Sequence, residues 1–460
     1  MTRPVFSATQ AAAFTMAEVL KYAGPAGAER IDPWRPDLAP IDQGALAFDL
    51  RVDPAQGQFR TIQAAVDEAV RQDSSGTGPV RIAIAAGHYD ELVYVPATAR
   101  PIALYGLGAT PHQTVVRANI DAGMSGAAYS ARFAGQFARS PDSVRRIFAE
   151  IAARDSLGTI NAAVMRVYGD GFVAHNLTVE NSYNEDRISA NESATPPAVN
   201  ARGQFARGQH QAVAVIVAGA DKVRFERLRL LGDQDTLYLK TDLPVRSVRS
   251  YWRDCYIEGD IDFIFGGGTA FFDRCEICSK GARTEMAFVT APSTHLLTPY
   301  GFVFDSCKFT HDGSENALKS VFSLGRQWFE GARCTPYGDS KIEGYRCDFG
   351  PVSQFTAPKG TISAQTLFSV GKVAILNSRI GAHIAPEAPW FAWNGGRHMP
   401  DGRYDPADWA PRFRPVHYTA RDFIANLAHW AQDQGVDLGV LRDSRAAQIP
   451  FVGEFGNRDV

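Results

Sequence analysis

Seven stretches of this chain repeat one layout, and none of them could bury its own apolar face. GFVAHNLTVEN from Gly171, VRFERLRLLG from Val223, SYWRDCYIEG from Ser250, AFFDRCEICSKG from Ala270, GFVFDSCKFTHDG from Gly301, EGYRCDFG from Glu343 and KVAILNSRIG from Lys372 share it. Each has two or three apolar or aromatic residues, a polar pair, then Asn, Cys or Leu, an alternating strand and a turn. Aligned on that residue, the units fall at Asn176, Leu228, Cys255, Cys275, Cys307, Cys347 and Asn377. The 20-residue step from Cys255 to Cys275 suits one coil of a solenoid, and the longer steps leave room for inserted loops. Such units must stack to be stable. The pattern predicts an all-β chain wound as a right-handed parallel β-helix. A β-sandwich is the alternative, but its hairpin turn signals are scarce here.

Around this region the texture differs. Helical spacing predicts helices over 9–21 and 61–72, with a proline-punctuated connector over 33–40 between them. Short strands are expected at 80–84, 92–95 and 102–105, a helical insertion near 142–153, and a further helix over 420–434. Residues 451–455 read as a displaced last strand of unfixed register. The organisation expected is an N-terminal helical segment (1–45), a β-helical domain (46–396) and a C-terminal extension packed on it (397–460).

A net charge of −3 over 460 residues gives no basic footprint for nucleic acid. No apolar run approaches the roughly 18 residues of a spanning helix, so no membrane span is expected. The N-terminus shows no compact apolar region followed by a cleavage site, which leaves the compartment open. Four of the six cysteines sit at the repeat position. Stacked strands lie about 4.8 Å apart, so Cys255 and Cys275 could be cross-linked, or the column could be a ladder of buried free thiols. Cys275 and Cys278 form a CxxC without a second pair, and strand alternation would point them apart; no metal is expected there.

The chemistry is approached by exclusion. There is no HExxH, no GxSxG and no Walker-type glycine loop, and no histidine pairs obviously with a Ser or Cys nucleophile. What remains is a carboxylate site. Residues 224–268 hold two similar segments that close on Gly232-Asp233-Gln234-Asp235-Thr236-Leu237-Tyr238 and on Gly259-Asp260-Ile261-Asp262-Phe263-Ile264-Phe265-Gly266. Carboxylates inside apolar strand sequence are costly unless paired or hydrogen-bonded. Asp235 and Asp262, with amides at Gln211 and Gln234 and a guanidinium at Arg326, form the candidate set. Taken alone, the two aspartates read more readily as turn or coil-stacking residues; the bland rivals for the others are an amide ladder for the two glutamines, a surface ion-pair partner for Arg326 and core for Trp328. Gln234 and Asp235 are adjacent and would face opposite ways on a regular strand, so a turn or bulge is required for both to serve one site.

The motifs together resemble the pectin methylesterase family, carbohydrate esterases built on the right-handed β-helix. Gly87-His88-Tyr89-Asp90-Glu91 resembles its GxYxE motif, Gln211-Ala212-Val213-Ala214 its QAVA motif and Gln234-Asp235-Thr236-Leu237-Tyr238 its QDTLY motif. Asp262-Phe263-Ile264-Phe265-Gly266 matches DFIFG, and Leu324-Gly325-Arg326-Gln327-Trp328 resembles LGRPW. Pro389-Trp390-Phe391-Ala392-Trp393-Asn394 resembles the late tryptophan segment. The matches follow the family order over residues 59–395. The resemblance implies that Asp262 is the nucleophile, Asp235 the general acid and then base, Gln211 and Gln234 the oxyanion donors, and Arg326 the group that orients Asp262 and keeps it charged. It implies that Tyr238, Phe265, Trp328 and Trp390 line a groove for sugar rings, while Tyr89 and Glu91 are structural. Methylated homogalacturonan is the implied substrate, acted on by a secreted or periplasmic monomer with no metal or organic cofactor. The rivals are a relative in this fold cleaving another ester or thioester, one that only binds glycans, and a calcium-dependent pectate lyase.

Three departures stand out. Gln327 replaces the family's usual proline, which is expected to loosen the backbone there. Asp233 and Asp260 are extra acids, read as solvated or supporting groups that would weaken affinity for a polyanionic product or shift the pH optimum.

Overall fold

Each coil of the chain lays one short strand in each of three sheets, then returns to the first sheet one rung further along. Val223–Glu226, Arg229–Leu231 and Leu237–Lys240 make one coil, and Arg249–Arg253, Tyr256–Gly259 and Ile261–Gly266 make the next. The pairing between them is parallel and in register: Phe225 with Trp252, Leu230 with Ile257, Leu237 with Ile264. This is a parallel β-helix. The computed structural model describes residues 3–39, 41, 43–72, 78–98, 100–183, 211–243, 245–338, 342–393, 413–442 and 444–460. Among these, the three long sheets hold ten, nine and eight strands.

Stacked rungs bring like side chains into columns. Phe225, Trp252, Phe272 and Phe304 stack face to face through the interior, with centroid separations of 3.9, 5.9 and 4.5 Å. Each ring is buried only because the coil above and the coil below supply its neighbours. Between the first and second strand of a coil the chain turns on one left-handed residue: Asn176, Arg227, Asp254, Arg274, Ser306 or Asn377, with φ between 50° and 58°. The next residue points inward, giving the buried column Leu177, Leu228, Cys255, Cys275, Cys307, Ser378. The sequence alignment therefore slips by one at both ends, since Asn176 and Asn377 occupy the turn.

Cys347 lies outside the column. It belongs to a small sheet of Arg346–Phe349, Lys359–Ile362 and Gln354–Thr356, and is disulfide-bonded to Cys334. Cys255, Cys275, Cys278 and Cys307 are free and buried. Cys255 and Cys275 are thus not cross-linked. Their thiols point to backbone carbonyls of the preceding coil, Cys255 Sγ to Phe225 O at 3.7 Å and Cys275 Sγ to Trp252 O at 3.5 Å.

The helix expected over 61–72 is Ile62–Arg71. Its buried Ile62, Ala65 and Val66 join the interior core and cover the end of the coil stack. Glu91 caps it, accepting from Ile62 N at 2.8 Å and Gln63 N at 2.9 Å. The helix expected over 9–21 is broken into Ala8–Ala11 and Met16–Val19, because the Thr15 hydroxyl caps the second piece. The insertion is a pair of helices. Asp142–Ala152 was legible, while Gly126–Phe137, glycine-containing and N-capped by Ser125, was not. Tyr129 and Phe137 pack on Phe148, and Phe137 stacks on Tyr94 of the eight-stranded sheet. At the other end Ala420–Asp433 is helical, and Val452–Phe455 pairs in parallel with Val373–Leu376, Val452 opposite Val373. The tail thereby adds a final rung and fixes the register of 451–455. Asn394 and the start of the extension lie outside the described residues.

Candidate active site

Asp235 and Asp262 occupy equivalent places on successive coils of the eight-stranded sheet. With Leu237 opposite Ile264, the two aspartates stand two residues before that pair, and Asp235 N donates to Ile261 O at 3.0 Å. Both are left-handed, φ 66° and 53°. Beyond Asp262, the register to the strand Phe288–Pro292 shifts between Ile261 and Ile264, the mark of a bulge. The turn needed for Gln234 and Asp235 to serve one site is present. Left-handed backbone costs an L-residue roughly 1–2 kcal/mol, less for Asp, and persists where the surroundings over-determine it. Here the rungs on either side do so, and each carboxylate is released from strict strand alternation.

Arg326 arrives from two strands further on. Thr290 pairs with Ile264 on one side and with Gly325 on the other. At Gly325 a Cβ would meet Thr290 Oγ1 at 2.1 Å, so only glycine fits beside Arg326. The guanidinium then forks onto Asp262, Nε to Oδ1 at 2.8 Å and Nη2 to Oδ2 at 2.7 Å. Phe288 and Trp393 flank it, 4.1 and 4.4 Å from the guanidinium carbon to the ring centroids. Neither ring was singled out from the sequence. The available signal for Phe288 is its place opposite Ile261, one residue from Asp262.

The two amides precede neighbouring strands. Ala212 N donates to Gln234 O at 3.1 Å, which ties the residue after Gln211 to the residue before Asp235. Gln211 Oε1 is buried with no hydrogen-bond partner among the described residues. A buried side-chain amide left unmet is costly, and such groups mark strained or catalytic positions.

Outside the coil, Tyr238, Phe265 and Trp328 form an aromatic cluster: Tyr238 stacks on Phe265 at 4.1 Å, and Trp328 meets both edge-on at 6.4 and 5.8 Å. Trp390, expected in that lining, is not there. It packs in the interior core of the coil, whereas Tyr238 and Phe265, themselves only 3% and 2% exposed, pack on the outer face with Trp328. Phe391, the neighbour of Trp390, faces outward against Phe288, so alternation turns Trp390 inward. The Tyr238 hydroxyl donates to Glu330 Oε1 at 2.9 Å. Burial, and then the Glu330 carboxylate, push the Tyr238 phenol well above its ordinary range and keep it a donor.

The extra acids are neither solvated nor idle. Asp233 pairs with Lys280 at 2.7 Å, and Asp260, 1% exposed, with Arg283 at 2.8 Å. Burial raises the Asp260 carboxyl, with Arg283 opposing. Gln327 does not loosen its backbone. Its side chain donates to Gly371 O and His417 O at 3.0 and 2.7 Å and accepts from His417 N at 2.7 Å, pinning the C-terminal segment behind Arg326. The described residues hold no cluster of three or more His, Cys, Asp or Glu fit for a metal.

A family model described as Pectinesterase matches residues 199–345. A pectinesterase of Ralstonia solanacearum is 32% identical over 401 residues, 86% of this chain and 86% of that protein. Pectinesterase B of Dickeya dadantii is 34% identical over 351 residues, 73% and 76% of the respective chains. Among solved structures, rice weevil pectin methyl esterase superposes with a TM-score of 0.67 at 24% identity, covering 100% of this chain and 97% of its own, which is a likeness of fold.

Proposed function

This chain belongs to the pectinesterase family, and we propose that it demethylates pectin through the carboxylate pair Asp262 and Asp235. The observation that carries the reading is the fork of Arg326 on Asp262 with Asp235 in register on the adjacent coil. The bidentate guanidinium on Asp262 divides the roles of the two aspartates. Asp262, oriented by Arg326, attacks the methyl-ester carbonyl carbon. The negative charge that develops on the carbonyl oxygen meets the amide N–H groups of Gln211 and Gln234, a contact worth on the order of 3 kcal/mol per donor. Collapse breaks the bond to the methoxy oxygen, which takes the proton of the Asp235 carboxyl and leaves as methanol. Asp235, now a carboxylate, takes a proton from water as the oxygen adds to the acyl–Asp262 anhydride. Release of the galacturonate carboxyl group restores both aspartates. One ester and one water are consumed; one acid and one methanol are formed.

Trp328, the partly exposed member of the aromatic cluster, offers a face to sugar rings beside this pair, with Tyr238 and Phe265 packed behind it. The substrate we infer is methylated homogalacturonan, bound by a single copy of the chain outside the cytoplasm. The Cys334–Cys347 disulfide supports an oxidising compartment. We read 46–396 as the catalytic unit, with the tail serving to buttress Arg326 through Gln327.

The test is methanol release from highly methylated pectin by the wild type and by Asp262→Ala, with and without a calcium chelator. Chelator-insensitive methanol from the wild type alone is expected. Calcium-dependent unsaturated product would instead indicate a lyase, and turnover only of small acyl esters or thioesters would move the substrate elsewhere.

A further inference from the structure

Two charges beside the aromatic cluster take no part in the steps above. On the strand Leu237–Lys240, Leu237 and Leu239 enter the interior core while Tyr238 and Lys240 take the outer face. Lys240 Nζ lies 2.9 Å from Glu330 Oε1, the oxygen that also accepts from Tyr238, and Ser293 Oγ donates to Oε2 at 3.4 Å. Glu330 stands two residues past Trp328, so it borders the same cluster from the other side. The side chains are 21% and 33% exposed, within reach of a bound chain.

A lone lysine here would attract free galacturonate, the product. With Glu330 held by three donors, that attraction is cancelled, and the least buried charge is a carboxylate. A free uronate seated against it meets a like charge in partly screened surroundings. A methyl ester meets none, and its methyl group can rest on the partly exposed Trp328. We propose that the Lys240–Glu330 pair is a specificity element that favours a methyl-esterified uronate over a free one in the position flanking the reacting sugar. The inference rests on the pectinesterase reading above. Like charges about 4 Å apart in a water-like dielectric correspond to about fivefold in relative binding.

The experiment compares kcat/KM for methanol release on highly and sparsely methylated pectin of matched length, for the wild type, Glu330→Gln and Lys240→Met. The ratio of sparse to high is expected to rise about fivefold in Glu330→Gln and to fall by a similar factor in Lys240→Met. A purely structural role would move the two ratios together or not at all, and that result overturns the proposal. A second reading needs no variant: raising the salt should narrow the wild type's discrimination, since partly exposed charges are screened, and a salt-independent ratio counts against the pair. Wild type that turns over while the variants keep its ratio sinks the specificity element alone. Wild type that releases no methanol from either substrate sinks the esterase reading and this inference with it.

Discussion

Arg326 holds both carboxylate oxygens of Asp262 from two strands away, spanning the rung of Thr290 to do so. The reach is possible because Gly325 lets the strands close on Thr290 and because Phe288 and Trp393 fix the plane of the guanidinium. A planar fork on a planar acceptor sets the orientation of Asp262. The left-handed backbone at Asp262 frees the carboxylate from strand alternation, and the fork then decides where it points.

Lysine in place of Arg326 keeps the charge and loses the fork. Arg326→Lys should lower kcat on the order of 10²-fold while KM moves little, because orientation matters more as the transition state forms than in ground-state binding. Steady-state methanol release with a thermal melt checks this. A variant with near-wild-type kcat would show that a point charge is enough.

In the proposed mechanism Asp262 and Asp235 act in one sequence of steps, so their losses should not add. Asp262→Asn and Asp235→Asn are each expected to lose roughly 10³-fold or more in kcat, and the double variant should be no worse than the poorer single one. Additive losses would mean the two groups work independently and would remove Asp235 from the proton path.

The β-helix, the strands of the acidic segments and the helix Ile62–Arg71 were legible because each is a local pattern: alternation, β-branched texture or helical spacing. What could not be read depends on the stacking of coils. The left-handed turn falls on Arg227, Asp254 and Arg274, residue types that do not advertise such a backbone, so the repeat was anchored one residue off at Asn176 and Asn377. Cys347 has the local look of a rung, yet its partners are Cys334 and the strand Lys359–Ile362. Asp233 and Asp260 look solvated until Lys280 and Arg283 arrive a coil later. Trp390 and Trp393 stand three residues apart in one motif, and only the register of Trp390–Phe391 shows which of them reaches the arginine.

The cysteines divide into one disulfide and four enclosed thiols. Burial pushes the thiols of Cys255, Cys275 and Cys278 up, away from the reactive thiolate. A thiol reagent should find none of the four in the native protein, four after unfolding without reductant, and six after unfolding with it. Removing the Cys334–Cys347 bond, which closes a loop of 13 residues, should cost about 3 kcal/mol of stability. Rapid labelling of any native thiol would contradict the ladder.

Acid should destabilise the fold through buried histidines: burial lowers His175, His295, His383 and His417 alike, and the last two show how. His383 and His417 are buried, and neither ring of either has a hydrogen-bond partner among the described residues. Burial lowers His383 to about 4, with His311 adding to the shift and Asp312 opposing it; burial and then Arg414 lower His417 to about 3. An unfolded histidine titrates near 6.5. Between 6.5 and the folded values the unfolded chain therefore binds more protons than the native one. Stability is complete above pH 6.5 and falls as the pH drops, by up to about 1.4 kcal/mol per pH unit for each group. His383→Leu, which offers a similar volume and no proton site, should make the fall in urea midpoint between pH 7 and 4 shallower by about one proton. An unchanged slope would mean that the ring is already charged in the native state, or that it reaches water that this packing does not provide.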